Sequence, residues 1–294
     1  MKLAPHARFA FQGERGAFSE EAALKLAGPH ATLVPRPTFE AAFSAIDDRL
    51  ADYILAPIEN SLAGSVHRSF DLLVESDLHI IGEVIIPIVH NLIALPGARI
   101  NDLAVVESHP VALAQCEQFF IAHPSLKRVA AEDTAGSVRD MMKLGDPKRA
   151  AIASRRAAEI YGATILQEHL EDDRENYTRF LLLAPKSLPS DNASVADKLS
   201  LVFELQHRPG ALYHSLAPFA RRNINMMKIE SRPIRGKPWQ YRFHLDLQAS
   251  MSDPEVSAAI ADLEKLSAQF RILGSYKAAE TAHDNSVSST ERSR

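Results

Sequence analysis

A single cysteine, Cys116, stands among 294 residues. A lone thiol excludes an internal disulfide and a cysteine-based zinc site. On a helical stripe with Leu113 and Phe120, Cys116 is expected to be a core residue. There is no run of Lys or Arg to track a nucleic acid and no acidic block; 33 basic and 37 acidic residues leave a formal net charge of -4. The first residues, MKLAPHARFAFQG, contain no apolar run of the length a secretory signal needs. The apolar stretch over 80–95 is broken by Glu83, Pro87, His90 and Asn91, so no membrane span is expected. A GxGxxG turn, a Walker lysine loop, a metal-ligand cluster and a Ser-His-Asp nucleophile elbow are also missing. Together these absences predict a cytoplasmic protein that needs no cofactor and either does cofactor-free chemistry or simply binds a ligand.

What is present is ordinary globular material. Apolar residues make up 46% and charged residues 24%, enough for a packed core, and a chain of this length suits one large or two ordinary domains. In the first two-thirds, short β-type runs alternate with helix-type runs, which argues for βαβ units and a mainly parallel sheet. Strands are expected at 8–12, 31–35, 53–56, 79–87, 103–107, 127–131, 150–153, 164–168 and 179–183. Between them, Val66, Phe70, Leu73 and Val74 recur at helical spacing. So many strands in this length predict two lobes rather than one sheet. Residues 186–197, rich in Pro, Ser and Asn, read as a linker. Beyond it Leu199, Leu201, Phe203 and Leu205 alternate as in a half-buried strand, and Leu212, Leu216 and Phe219 form a helical stripe. A hairpin is expected around 235–238, a helix opening at Asp253-Pro254, and a last strand over 270–277; the order is βαββαβ. The polar, serine-rich stretch 281–294 is expected to be a disordered tail.

The polar residues of the first part are grouped at strand ends. FQGERGAFSEE (11–21), PIENSLAGSV (57–66), ESHPVALAQC (107–116) and EDTAGSV (132–138) each follow a strand, and ENYTRF (175–180) enters the last one. Ligands of parallel α/β sheets bind outside the carboxyl ends of the strands, where helix N-termini offer free N–H groups to anions. Each motif also has a plainer reading. Gly13 and Gly16 serve tight turns as well as phosphate-type loops. Ser19, Ser108, Asp133 and Thr134 read equally as helix N-caps, and Asn60 or Glu59 as turn closers. His109 is a catalytic base or a satisfied loop histidine, and Arg179 a carboxylate clamp or a salt-bridged strut.

In order and approximate spacing, PIENSLAGSV, SHPVALAQC, DTAGSV, AAIASRRAAEIYG (150–162) and NYTRF resemble the prephenate dehydratase family over about 8–184. Gly210-Ala211-Leu212 and Glu230-Ser231-Arg232-Pro233 stand where the family's ACT regulatory domain carries its phenylalanine-site motifs, a resemblance over about 198–280. It implies an α/β fold: a two-lobed, periplasmic-binding-protein-like catalytic unit over 1–185 and a ferredoxin-like ACT domain over 198–280. It also implies conversion of prephenate to phenylpyruvate, carbon dioxide and water in phenylalanine biosynthesis. By the same resemblance, Thr178 assists departure of the leaving hydroxyl, and Asn60, Ser108 and Gln115 bind or activate substrate. Glu59 is a second acid candidate, and Arg179, Thr134 and Ser154 are substrate-binding candidates. Residues 210–212 and 230–233 would hold L-phenylalanine as allosteric effector, in a homodimer or homotetramer, with no nucleic acid or membrane as partner. Two departures, Val111 where glutamine is common and Ser137 where alanine is frequent, leave the match intact.

Two other readings stand beside this one. Arogenate dehydratase differs only in a substrate whose amino group replaces the keto oxygen. A non-catalytic amino-acid sensor would use the same cleft without needing the full set of Asn60, Ser108, Gln115 and Thr178.

Overall fold

The segment RFAFQ becomes a strand with Phe9, Ala10 and Phe11 all buried, because a strand covered on both faces reads as a continuous apolar run. This computed structural model describes residues 3, 6–188 and 196–280. The expected linker over 186–197 falls largely, and the expected tail over 281–294 wholly, outside the described residues. In chain order the first elements are β1 (Arg8–Gln12), α1 (Phe18–Ala27), β2 (Thr32–Arg36), α2 (Phe39–Asp47), β3 (Tyr53–Asn60), β4 (Gly64–Ser65), α3 (His67–Glu75) and β5 (Leu78–Pro87). Next come β6 (Asn91–Ala94), β7 (Val105–Ser108), α4 (Pro110–Ala114), α5 (Glu117–Ala122), β8 (Lys127–Ala130), α6 (Thr134–Leu144), β9 (Arg149–Ala153), α7 (Arg155–Tyr161), β10 (Thr164–Gln167) and β11 (Tyr177–Pro185).

These strands make two sheets, as the strand count predicted. One runs β2-β1-β3-β11-β5, with the two-residue β4 on β3, and β1 is parallel to both its neighbours. The other runs β10-β6-β9-β7-β8; β7 is parallel to β8 and β9, while β6 is antiparallel to β9 and β10. The short strands β4 and β6 were not among those expected. Along β6 and β9 the side chains alternate between two cores: Leu92, Ala94, Ala150 and Ile152 join Cys116, Phe119 and Phe120 on one face. Ile93, Ala151 and Ala153 join Val138, Met141 and Ala157 on the other. Cys116 is fully buried there, as expected, and burial pushes its thiol pKa up, so it is an inert packing group.

The remaining elements are β12 (Lys198–Leu205), α8 (Ala211–Arg221), β13 (Asn225–Ile234), β14 (Lys237–Gln248), α9 (Pro254–Leu266) and β15 (Ser267–Tyr276), the expected βαββαβ order. Their antiparallel sheet runs β13-β14-β12-β15. Leu199, Leu201 and Phe203 of β12 pack with Leu245 and Leu247 of β14, under Phe219 of α8 and Ile260 and Leu263 of α9. Asp253 caps α9 by accepting from the Glu255 N–H at 2.8 Å, with Pro254 in the first position.

The described residues divide into two compact units, one of residues 6–72 and 84–181, the other of 3, 73–83, 182–188 and 196–280. The expected boundary at 185 lies close to the break at 181/182, and segment 73–83 joins the C-terminal unit as well. Lys198 Nζ donates to both Glu83 carboxylate oxygens, at 2.9 and 3.0 Å, and the pair is almost fully buried. The Arg271 guanidinium donates to the carbonyl oxygens of Val74, Ser76 and Leu78, from the end of α3 to the start of β5. Gly274 lies so close to Ile80 that a Cβ there would sit 2.2 Å from its carbonyl oxygen.

Candidate functional site

Within the first unit lies a cavity of about 580 Å³, inside the range of about 300–1,000 Å³ typical of small-molecule sites. Its wall is built where the sequence placed it: at Gln12 and Gly13 after β1, at the first turns of α1 and α6, and at Asn60 closing β3. Thr178 and Phe180 of β11 form another side. Strand alternation decides which residues arrive. Thr178 and Phe180 are two apart and share a face, whereas Arg179 points to the other. The same alternation brings Asn60 to the wall and turns Glu59 away.

The polar groups of this wall form one connected network whose polarity is set by the backbone. Asn60 Oδ1 accepts from the N–H groups of Leu62 and Ala63 at 3.1 and 2.7 Å, so that atom is the amide oxygen. Asn60 Nδ2 then faces three acceptors: Asn176 Oδ1 at 2.7 Å, Tyr177 O at 3.1 Å and Thr178 Oγ1 at 3.0 Å. Because Thr178 Oγ1 accepts from Asn60, its own proton remains available as a donor. Gln115, at the C-cap of α4, donates from Nε2 to Asn60 Oδ1 at 3.3 Å. Its oxygen accepts from Asn176 Nδ2 at 3.0 Å and lies 2.9 Å from His90 Nε2.

The cavity wall carries no Lys or Arg side chain among the described residues. Anionic groups would therefore meet backbone N–H groups and helix dipoles rather than a fixed cation. The start of α1 suits this: its N-cap, Ala17, supplies no side-chain cap, and Ala17, Phe18 and Ser19 all line the cavity. Its position is fixed by Glu20, which is buried and takes hydrogen bonds from Arg15 at 2.7 Å, Arg156 at 2.6 Å and the Gly16 N–H at 3.1 Å. Burial would raise the Glu20 pKa, but these hydrogen bonds outweigh it and hold the carboxylate below its ordinary range. At α6, burial pushes the Asp133 carboxyl pKa up even though it caps Gly136 at 2.6 Å. His109 and His90 are both held below the ordinary histidine pKa by burial.

Of the expected site residues, Asn60, Gln115, Thr134 and Thr178 line the cavity. Four do not, and each has a structural employment instead. Ser108 is fully buried and donates to the Ile152 carbonyl at 2.6 Å, bonding β7 to β9. Ser154 donates to the Gly16 carbonyl at 2.7 Å and caps α7 through the Ala157 N–H at 3.0 Å. Glu59 and Arg179 form an ion pair at 3.9 Å, with the Arg179 side chain only 12% exposed. This ion pair fits the strut reading of Arg179, and neither residue lines the cavity. His109 lines the wall but uses Nδ1 to accept from the Val111 N–H at 3.2 Å. Asn176 had been read only as part of the NYTRF motif, with no role of its own, and His90 only as a polar break in an apolar run, which is itself the signal.

In the second unit, Gly210 takes a left-handed conformation as N-cap of α8, directly before Ala211 and Leu212. Glu230, Ser231, Arg232 and Pro233 lie on β13, the edge strand of its sheet.

Comparison with known proteins agrees with this fold. The family model described as prephenate dehydratase matches residues 9–188. "Arogenate dehydratase/prephenate dehydratase 2, chloroplastic" of Arabidopsis thaliana is 44% identical, covering 92% of this chain and 72% of the relative. A solved prephenate dehydratase from Arthrobacter aurescens, in complex with L-Phe, superposes with a TM-score of 0.83 at 32% identity, covering 97% of both chains. A structure described as GqqA, a novel type of quorum quenching acylase, superposes with a TM-score of 0.83 at 33% identity, covering 94% of this chain and 99% of that one. The expectation of a cytoplasmic protein is corrected by such relatives, since six from Arabidopsis thaliana are named chloroplastic.

Proposed function

The chain belongs to the prephenate dehydratase family, a family of hydro-lyases, and from that premise we propose how its cavity performs the reaction. Prephenate loses its ring carboxylate as carbon dioxide, the bonding pair moves into the ring, and the carbon–oxygen bond opposite breaks. The departing hydroxide takes a proton to become water, leaving phenylpyruvate. Aromatisation makes the sequence downhill, so the protein has to orient a dianion and assist one leaving group.

Thr178 gives that assistance. The observation carrying the proposal is the hydrogen bond from Asn60 Nδ2 to Thr178 Oγ1, which leaves the threonine O–H as a donor in the cavity. A threonine hydroxyl is a weak acid, so it stabilises developing hydroxide by hydrogen bonding or relays a proton to it. The uncapped start of α1 offers backbone N–H groups to a carboxylate, and the Thr134 hydroxyl in the first turn of α6 is a further donor. The test is formation of phenylpyruvate from prephenate, with Thr178→Ala expected to lower kcat by about 10²–10⁴-fold. An unchanged kcat removes Thr178 from the mechanism.

Arogenate is a second substrate to assay in parallel. Glu132 and Asp133 line the cavity, and an ammonium in place of the keto oxygen would meet carboxylates there. A larger kcat/KM for arogenate assigns the chain to that substrate; a larger value for prephenate does not.

The βαββαβ unit acts as the regulatory domain. Its topology and the positions of 210–212 and 230–233 support an L-phenylalanine site, and the Arthrobacter relative carries L-Phe. Met227 and Ile229 on the edge strand β13 are exposed, which suits pairing between two copies of the chain.

A further inference from the structure

His90 belongs to the cavity network, and the reaction of Thr178 leaves it without a task. It is 2% exposed, and its backbone is pinned on both sides. Its N–H donates to Glu171 Oε2 at 2.8 Å, and its carbonyl accepts from the Leu170 N–H at 2.8 Å. The ring stands edge-on to Phe18, with centroids 5.7 Å apart. A side chain held this tightly has little freedom to do anything except present one fixed atom.

That atom is Nε2, 2.9 Å from Gln115 Oε1. The protonation of the ring follows from the backbone by elimination. Leu62 and Ala63 fix Asn60 Oδ1 as an acceptor, so the Gln115 atom facing it is the NH2. The other Gln115 atom is therefore the oxygen, a pure acceptor, and His90 Nε2 must carry a proton. Nδ1 is buried with no hydrogen-bond partner. A second proton there would be an unpaired buried charge, which is costly, and burial accordingly holds the His90 pKa below its ordinary value. The ring is neutral, with its single proton on Nε2.

Resting on the dehydratase reading of the cavity, we propose that His90 is a positioning residue. As the Nε2–H tautomer it holds the Gln115 amide oxygen, so that Gln115 and Thr178 both face the anionic substrate as donors. If the Gln115 amide turned over, its NH2 would confront two donors, from His90 and Asn176, and its oxygen would confront Asn60 Oδ1. Asn60 Oδ1 and Asn176 Nδ2 already disfavour that arrangement, and the Nε2–H of His90 adds the further hydrogen bond that holds the amide oxygen in place. The second Nε2 proton of Gln115 is then left for a substrate oxygen.

Two measurements test this. The first reads the tautomer directly in the wild-type protein: 15N NMR of the histidine rings at neutral pH, with the His90 signals identified by their loss in His90→Gln. A protonated Nε2 and a bare Nδ1 are expected; an Nδ1–H tautomer or an imidazolium overturns the proposal. This reading does not depend on turnover, so it stands even if prephenate proves not to be the substrate. The second is kinetic. His90→Leu is expected to lower kcat about tenfold to a hundredfold, the scale of a misplaced substrate group. His90→Gln, which can still donate to Gln115, should restore most of that loss. In a Gln115→Ala background, His90→Leu should have almost no further effect. Equal losses with and without Gln115, or no rescue by glutamine, would mean that His90 acts otherwise than through that amide.

Discussion

Thr178 is a donor because of its neighbours rather than its own acidity. The Asn60 amide is locked by two backbone N–H groups, and through it the threonine oxygen is committed as an acceptor and its proton is freed. Ser in place of Thr178 keeps this arrangement and is expected to retain activity within about tenfold of wild type, since the general-acid contribution survives. Loss comparable to the alanine variant would show that the methyl group, not the hydroxyl, matters. Glu20 gives a residue-scale prediction of a different kind. Its carboxylate is ionised, buried and held below its ordinary pKa of 4.5. The unfolded chain therefore binds the extra proton first, and Glu20 contributes stability above about pH 4.5 that is lost as pH falls through its folded value. Thermal melts between pH 7 and pH 3 should show this loss in wild type. The Glu20→Gln variant should be less stable at pH 7 and flatter below pH 4.5; parallel curves would mean the carboxylate is not ionised in the fold.

At the scale of elements, the site is a set of strand ends and helix starts, and much of it was legible in sequence. Chemistry-bearing motifs after β1, β3, β7 and β8 end at the cavity because strand carboxyl ends lie on one side of a parallel sheet. What sequence did not decide was which face each side chain takes. Thr178 and Phe180 share a parity that excludes Arg179, and Asn60 excludes Glu59 in the same way, so that distinction could have been read from the period of two. Ser108 and Ser154 were beyond such reasoning, because their partners, the Ile152 and Gly16 carbonyls, are 44 and 138 residues away. Strand β6 was hidden by the polar pair His90-Asn91 at its start and by its four-residue length. The loop before α1 is fixed by packing. Gly16 has φ +87°, and a Cβ there would lie 2.7 Å from the Ala157 Cα. Gly16→Ala is expected to cost about 1–3 kcal/mol in denaturant melts and to weaken prephenate binding by shifting the first turn of α1. Wild-type stability with unchanged KM would show that the loop absorbs the methyl group.

For the whole molecule, the division of the chain is the main departure from what the linker predicted. A Pro/Ser-rich stretch marks where composition changes, but residues 73–83 pack with the C-terminal sheet through groups that composition does not reveal. The Glu83–Lys198 pair is the clearest of these, since the Ala279 N–H also donates to Glu83 at 3.0 Å. Glu83→Gln leaves a buried ammonium without its counter-charge and is expected to destabilise the protein by about 3–5 kcal/mol. A denaturant midpoint close to wild type would show that the pair is hydrated instead. The account as a whole rests on one hydroxyl in one cavity. Its most direct test is the steady-state conversion of prephenate to phenylpyruvate by wild type and Thr178→Ala side by side. The account predicts turnover by wild type and a kcat about a hundredfold or more lower in the variant, with KM little changed, because the hydroxyl acts on the leaving group rather than on binding. An inert wild type, or a variant with undiminished kcat, would contradict it.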